Sequence, residues 1–190
     1  MGFHTFDPSQ IDRLEDPSRF RHCSREELIQ WLPTGPDVRL LDVGSGSGFY
    51  TDELATVVGE AIALDVQPAM HRHYRERGVP RNVSLVTASA DHLPILDSTV
   101  DAALSTMSFH ETTTAAANAE LHRVLAAEGT AVIVDWSAEG SGAAGPPVAE
   151  RYDVVRAAEL LREAGFAIRL AAERDETFLL VADHSSDNNS

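Results

Sequence analysis

The chain contains no lysine. All fifteen of its basic side chains are arginine, set against thirty Asp and Glu for a formal net charge of −15. Charge of that sign repels phosphate backbones and disfavours nucleic acid as the main ligand, although a local patch leaves an RNA-borne substrate open. The missing lysine fits a GC-rich genome, which does not account for the excess acid. A carboxylate-rich surface adapted to high salt accounts for the acid, so a halophilic source is expected. Cys23 is the one cysteine. An intrachain disulfide and a thiolate zinc cage are therefore excluded, and the composition suits a reducing cytoplasm. Met1 to Phe6 has no basic stretch followed by an apolar core, so no signal peptide is expected, and Phe6 stands where a myristoylation signal has Ser or Thr. No apolar run approaches the length of a membrane span.

What is present is a regular alternation. Residues 1–37 read as an N-terminal arm with one short helix, opened by the capping pattern Ser24-Arg25-Glu26-Glu27 and stopped by Pro33-Thr34-Gly35-Pro36. Residues 38–183 read as one α/β domain. Strands are expected at 38–43, 61–65, 83–88, 100–105 and 130–135, with a closing pair at 166–170 and 177–182. Helices are expected at 49–58 with Gly59 as the stop, from Pro68 to about 77, from about 113 to 126, and from Pro146-Pro147 to about 164. Residues 184–190 read as a disordered tail. Strands alternating with helices require a mainly parallel sheet covered on both faces. Ligands of such sheets sit beyond the carboxyl ends of the strands, where the strand order reverses.

The segment Leu40-Leu41-Asp42-Val43-Gly44-Ser45-Gly46-Ser47-Gly48-Phe49-Tyr50 carries a buried strand through a glycine-rich turn into a helix. Glycines let the backbone turn sharply and let a ligand approach it. A plain strand-to-helix turn has the same look, so spacing has to discriminate. Dinucleotide sites use Gly-x-Gly-x-x-Gly. Here the glycines stand at 44, 46 and 48, and Asp42 just before them would repel a pyrophosphate but favour an ammonium group. Asp65 ends the second strand, where a carboxylate accepts hydrogen bonds from both ribose hydroxyls; the competing reading is a cap on the helix that Pro68 opens. Glycine spacing and Asp65 together favour S-adenosylmethionine, a cationic cofactor without phosphate.

These residues resemble the class I S-adenosylmethionine-dependent methyltransferases, in particular the compact type that includes ubiquinone/menaquinone-biosynthesis-like enzymes. The resemblance runs from about Val38 to Ala182. Val86 to Asp97 is similar to the family segment written G-D-A-x-x-L-P-F, which lies against the adenine; Ala90 matches its backbone donor, while Ser89 replaces the usual Asp and leaves Asp91 to serve instead. Val100 to Ser105 is similar to the fourth strand, whose end lies under the methionine part. Glu120 to Gly129 is similar to the helix and turn before strand five. The resemblance implies a Rossmann-like seven-stranded sheet with its last strand antiparallel. It also implies S-adenosylmethionine held by Asp42, Gly44, Gly46, Gly48, Asp65, Val66, Ala90, Asp91 and Ser105.

The cofactor would supply the electrophile, so the protein needs only to hold an acceptor in line, exclude water and, for some acceptors, remove a proton. His110, after strand four, is the candidate base, with Glu111 to orient it; a capping histidine is the equal alternative. Tyr50 is a candidate to close over the methyl group or to pack on the arm. Asp135 and Trp136 end strand five on the pocket side. Phe3, His4, Phe6, Arg21 and His22 are candidates for a lid. His71 and His73 diverge on their helix, so no metal site is expected. The expected function is methyl transfer to a small or peptide-like acceptor. A non-catalytic cofactor-binding regulator or partner subunit, and an interaction module with a decayed site, would carry the same pattern.

Overall fold

In the computed structural model, which describes residues 6–185, the strand period of two splits the apolar residues between two cores. In β1 (Gly35–Val43) Leu41 and Val43 join one core, while Leu40 joins the other. The same division holds for Ile62 and Leu64 against Ala61 in β2 (Val58–Asp65), and for Ile133 against Val132 and Val134 in β5 (Leu125–Trp136). A sheet buried on both faces needs helices on both. On the first core lie α5 (Ala115–Val124) and α6 (Val154–Glu163), through Leu121, Val124, Ala157 and Leu161. On the second lie α1 (Arg25–Trp31) and α2 (Phe49–Ala55), through Leu28, Tyr50 and Leu54. Truncating a residue such as Leu41 to Ala would cost about 2–5 kcal/mol.

The sheet has seven strands in the order β3-β2-β1-β4-β5-β7-β6. β3 (Val83–Thr87) and β4 (Val100–Thr106) pair in parallel with β2 and β1, and β5 continues in parallel beside β4. β6 (Phe166–Glu173) and β7 (Thr177–His184) form an antiparallel pair, and β7 runs antiparallel to β5. The order reverses between β1 and β4. A crevice therefore opens beyond their carboxyl ends, bordered by the loops that follow them.

Several expected boundaries move. β1 begins at Gly35, not Val38, because Gly35 pairs with Val58. That same pairing ends α2 at Ala55 and draws Gly59 into β2. A Cβ on Gly59 would lie 1.9 Å from the Pro36 carbonyl oxygen, so this glycine permits a close approach of two strands and does not stop a helix. The helix expected to reach 126 stops at Val124, and β5 starts there with Leu125 opposite Val100. α3 (Pro68–Arg77) spans the residues expected, and a short α4 (Phe109–Thr112) stands ahead of α5. β7 includes His184, whose ring stacks on His122 at 4.0 Å, so the tail does not begin there. Residues 186–190 lie outside the described residues, as do Phe3 and His4 of the expected lid.

The arm holds more structure than expected. Two Asp-Pro-Ser segments each open a 3-10 helix, Pro8–Leu14 and Pro17–Arg21. Asp7 and Asp16 cap them by accepting the backbone N–H groups of Ser9 and Ser18 at 2.9 and 2.8 Å. Ser24 caps α1 as expected, accepting the Glu27 N–H. Among the described residues no helix is long and apolar enough to cross a membrane.

Candidate active site

The loop after β1 is pinned to β2: the N–H groups of Gly44 and Ser45 both donate to the Leu64 carbonyl at 2.9 Å. Gly44 (φ +74°) has the loop after β4 against it, since a Cβ there would lie 2.5 Å from Ser108 Oγ. That hydroxyl donates to the Val43 carbonyl at 2.9 Å, so it ties the two loops together across the switch point. Met107, between β4 and Ser108, has φ 56°. A non-glycine residue in the left-handed region costs energy and is tolerated where the surroundings enforce it. Here the Met107 N–H is held by the Val134 carbonyl at 2.7 Å.

Asp65 faces the glycine loop. One of its oxygens accepts the Gly46 N–H at 2.9 Å and the other the Gln67 N–H at 2.8 Å. Gln67, not Asp65, stands at the N-cap of the helix that Pro68 opens, and that helix has no side-chain cap, so the capping reading of Asp65 does not hold. Each Asp65 oxygen keeps a further lone pair that could accept from a hydroxyl. Burial pushes its pKa up, although both N–H groups favour the charged form.

Arg19 comes from the second 3-10 helix of the arm. Its guanidinium carbon lies 5.2 Å from the ring centres of both Phe49 and Tyr50. It donates to the Leu14 carbonyl at 2.8 Å and to Met107 Sδ at 3.8 Å, and its buried Nε has no hydrogen-bond partner among the described residues. Burial lowers its pKa. Asp42 acts on it electrostatically, but among the described residues no carboxylate forms an ion pair with it, an environment suited to an anionic group.

Two adjoining cavities occupy the crevice. The first, about 110 Å³, is walled by Gly44, Gly46, Asp65, Val66, Ala90 and Arg19. The second, about 550 Å³, is walled by Arg13, His22, His110, Trp136 and the chain from Ala143 to Pro146. Phe6, Leu14, Arg19, Met107 and Glu111 line both. The buried Arg151 shapes the far wall by donating to the carbonyls of Ala144 and Pro146. The second cavity falls within the usual size of small-molecule sites.

His110 lies on its floor. Its backbone N–H donates to Asp135 at 2.6 Å, and its Nδ1 lies 3.0 Å from both Asp135 oxygens. Its Nε2 lies 3.6 Å from a Glu111 oxygen. Burial works against the imidazolium, but the hydrogen bonds and charges of Asp135 and Glu111 outweigh it and raise the pKa to about 10.

The structure does not bring every sequence candidate to these walls. Asp42 is buried beneath the loop, where burial raises its pKa to about 6 and the Thr51 hydroxyl donates to it at 2.6 Å; it lines neither cavity. Gly48 is required by packing, because a Cβ there would lie 2.2 Å from the Tyr74 ring. Asp91 is turned toward Thr114, and Ser105 is buried against Ser108 at 3.0 Å. Tyr50 lines the first cavity, but its hydroxyl donates to the carbonyls of Cys23 and Arg19, which fixes it to the arm. Arg19 was not among the sequence candidates. The repeated Asp-Pro-Ser caps that build the arm were the available signal.

A protein-family model described as "Methyltransferase domain" matches residues 41–133. A solved S-adenosylmethionine-dependent methyltransferase from Aquifex aeolicus superposes with a TM-score of 0.86 and is 31% identical, covering 94% of this chain and 99% of that one. A complex of the Haloferax volcanii Trm112 methyltransferase activator with a methyltransferase matches with a TM-score of 0.79 over 96% of each chain, at 18% identity, and shows the fold alone. The biotin biosynthesis bifunctional protein BioHC of Cellvibrio japonicus is 40% identical over 82 residues, 43% of this chain and 16% of that one. The chain spans well under half the length of the curated relatives it matches first. The Aquifex aeolicus likeness, by contrast, extends over nearly all of both chains, and with it the chain belongs to the S-adenosylmethionine-dependent methyltransferases.

Proposed function

We propose that this chain transfers the methyl group of S-adenosylmethionine to a small or peptide-like acceptor held in the second cavity. The carrying observation is that a cavity floored by the glycine loop and Asp65 adjoins a larger one through Met107 and Glu111. When bound, the cofactor supplies an electrophilic methyl group. Asp65 accepts from the ribose hydroxyls, Val66 and Ala90 flank the adenine, and the glycine loop approaches the methionine part. Arg19 pairs its guanidinium with the cofactor carboxylate. The arm, through Phe6 and Leu14, keeps water from the junction of the two cavities.

The second cavity mixes charged and polar side chains such as Arg13, His22 and His110 with apolar ones such as Phe6, Leu14 and Trp136, which suits a compact acceptor with both polar and apolar parts. The net charge of −15 disfavours nucleic acid. The test is incubation with isotope-labelled cofactor and a panel of small hydroxylated, amino, carboxylated and thiol compounds. Transfer of label to one class supports the reading. Tight cofactor binding with no transfer to any class would instead favour a non-catalytic regulator or partner subunit.

A further inference from the structure

Asp135, His110 and Glu111 form a line of ionisable side chains from the end of β5 to the junction of the two cavities. Asp135 is fully enclosed and holds Nδ1 of His110. Glu111 faces Nε2 and lines both cavities, whereas His110 lines only the second. The imidazole is clamped between two carboxylates, keeps its proton at neutral pH, and so has no site with which to take another. Glu111 presents its second oxygen without a hydrogen-bond partner among the described residues. Two carboxylates and one imidazolium give the line a net charge of −1. A negative cluster favours a cation where the methyl group is delivered and disfavours an anionic reacting atom beside it.

We propose that Glu111 is the carboxylate at the point of methyl transfer, and that the acceptor's reacting group is a hydroxyl or an amine that donates a hydrogen bond to it. The proposal rests on the methyltransferase reading and reverses the roles expected of His110 and Glu111. In the step, the acceptor's lone pair forms the new bond to the methyl carbon. The carbon–sulfur bond breaks with its electron pair remaining on sulfur, and the acceptor's proton passes to the Glu111 carboxylate.

The test does not need the natural acceptor. Sinefungin carries an amine where the methyl group lies, and S-adenosylhomocysteine carries nothing there. Calorimetric titration of both should show Glu111→Gln losing about tenfold in affinity for sinefungin, as for a lost charge-assisted hydrogen bond, with S-adenosylhomocysteine changed less than about twofold. The unchanged second ligand shows that the fold is intact. Equal effects on the two ligands would overturn the placement of Glu111. Should the parent protein bind neither, the methyltransferase reading fails and the proposal with it. In the labelled-acceptor panel, methylation of alcohols or amines supports the proposal, and methylation confined to carboxylates or thiols overturns the acceptor class.

Discussion

Both carboxylate oxygens of Asp135 lie 3.0 Å from Nδ1 of His110, and one of them also accepts the His110 backbone N–H at 2.6 Å. One buried carboxylate thereby fixes the start of α4 and the charge on its histidine. A group whose pKa is raised on folding stabilises fully below its unfolded value, about 6.5, and loses that contribution as pH rises toward the folded value, here about 10. Asp135 and Glu111 are the charged groups facing the ring. The window from pH 7 to about 9 isolates this effect. Asp42, raised to about 6, has finished titrating, and His22 and His71, both lowered, titrate below it. Cys23, Tyr50 and Tyr74, all raised, act only above their ordinary values. Thermal melts should show the parent losing about 1 kcal/mol per pH unit across that window. Asp135→Asn should be less stable at pH 7 by about 3–5 kcal/mol, with a flatter slope. Parallel slopes in the two proteins would remove the ion pair.

Gly48→Ala should destabilise the fold by about 2–4 kcal/mol, because its Cβ meets the Tyr74 ring and its φ is +87°. In a Tyr74→Ala background the additional cost should shrink to the backbone part, about 1 kcal/mol. Denaturant unfolding of the four proteins in this cycle measures the coupling. Additive losses would mean that the ring does not set the requirement for glycine.

Arg19→Ala should weaken S-adenosylmethionine binding by about 1–3 kcal/mol, the range for a charge-assisted hydrogen bond, and leave decarboxylated S-adenosylmethionine unaffected. Calorimetry with both ligands checks this. Equal losses would place Arg19 in the arm's packing alone.

Melting temperature should rise from dilute buffer to molar potassium chloride, since self-repulsion at net charge −15 is screened by salt. A flat response would leave genome composition as the origin of the missing lysine and remove the halophile reading.

The sheet was legible because each strand from 38 to 182 is an apolar run bounded by turn residues, and the glycine spacing with Asp65 pointed to the cofactor. Boundaries failed where tertiary pairing overrode local preference. Ala126-Ala127-Glu128 favours helix, yet Leu125 is taken by its ladder with Val100. On the acceptor side Phe6, His22, His110, Glu111 and Trp136, all read from the sequence, line the second cavity, but two relationships there were not legible. Arg19 reaches the crevice only because two short 3-10 helices lay the arm over it. The charge on His110 depends on Asp135, 25 residues away in sequence. Neither relationship leaves a periodic trace.

The crevice between β1 and β4 is expected to bind S-adenosylmethionine through Asp65. Calorimetric titration of the parent and of Asp65→Ala with S-adenosylmethionine, and of the parent with NADH, tests it most directly. Expected is one site per chain, a loss of about 1–3 kcal/mol in the variant as the ribose hydroxyls lose their acceptor, and much weaker binding of NADH. Unchanged affinity in Asp65→Ala, or preferential binding of NADH, would contradict it.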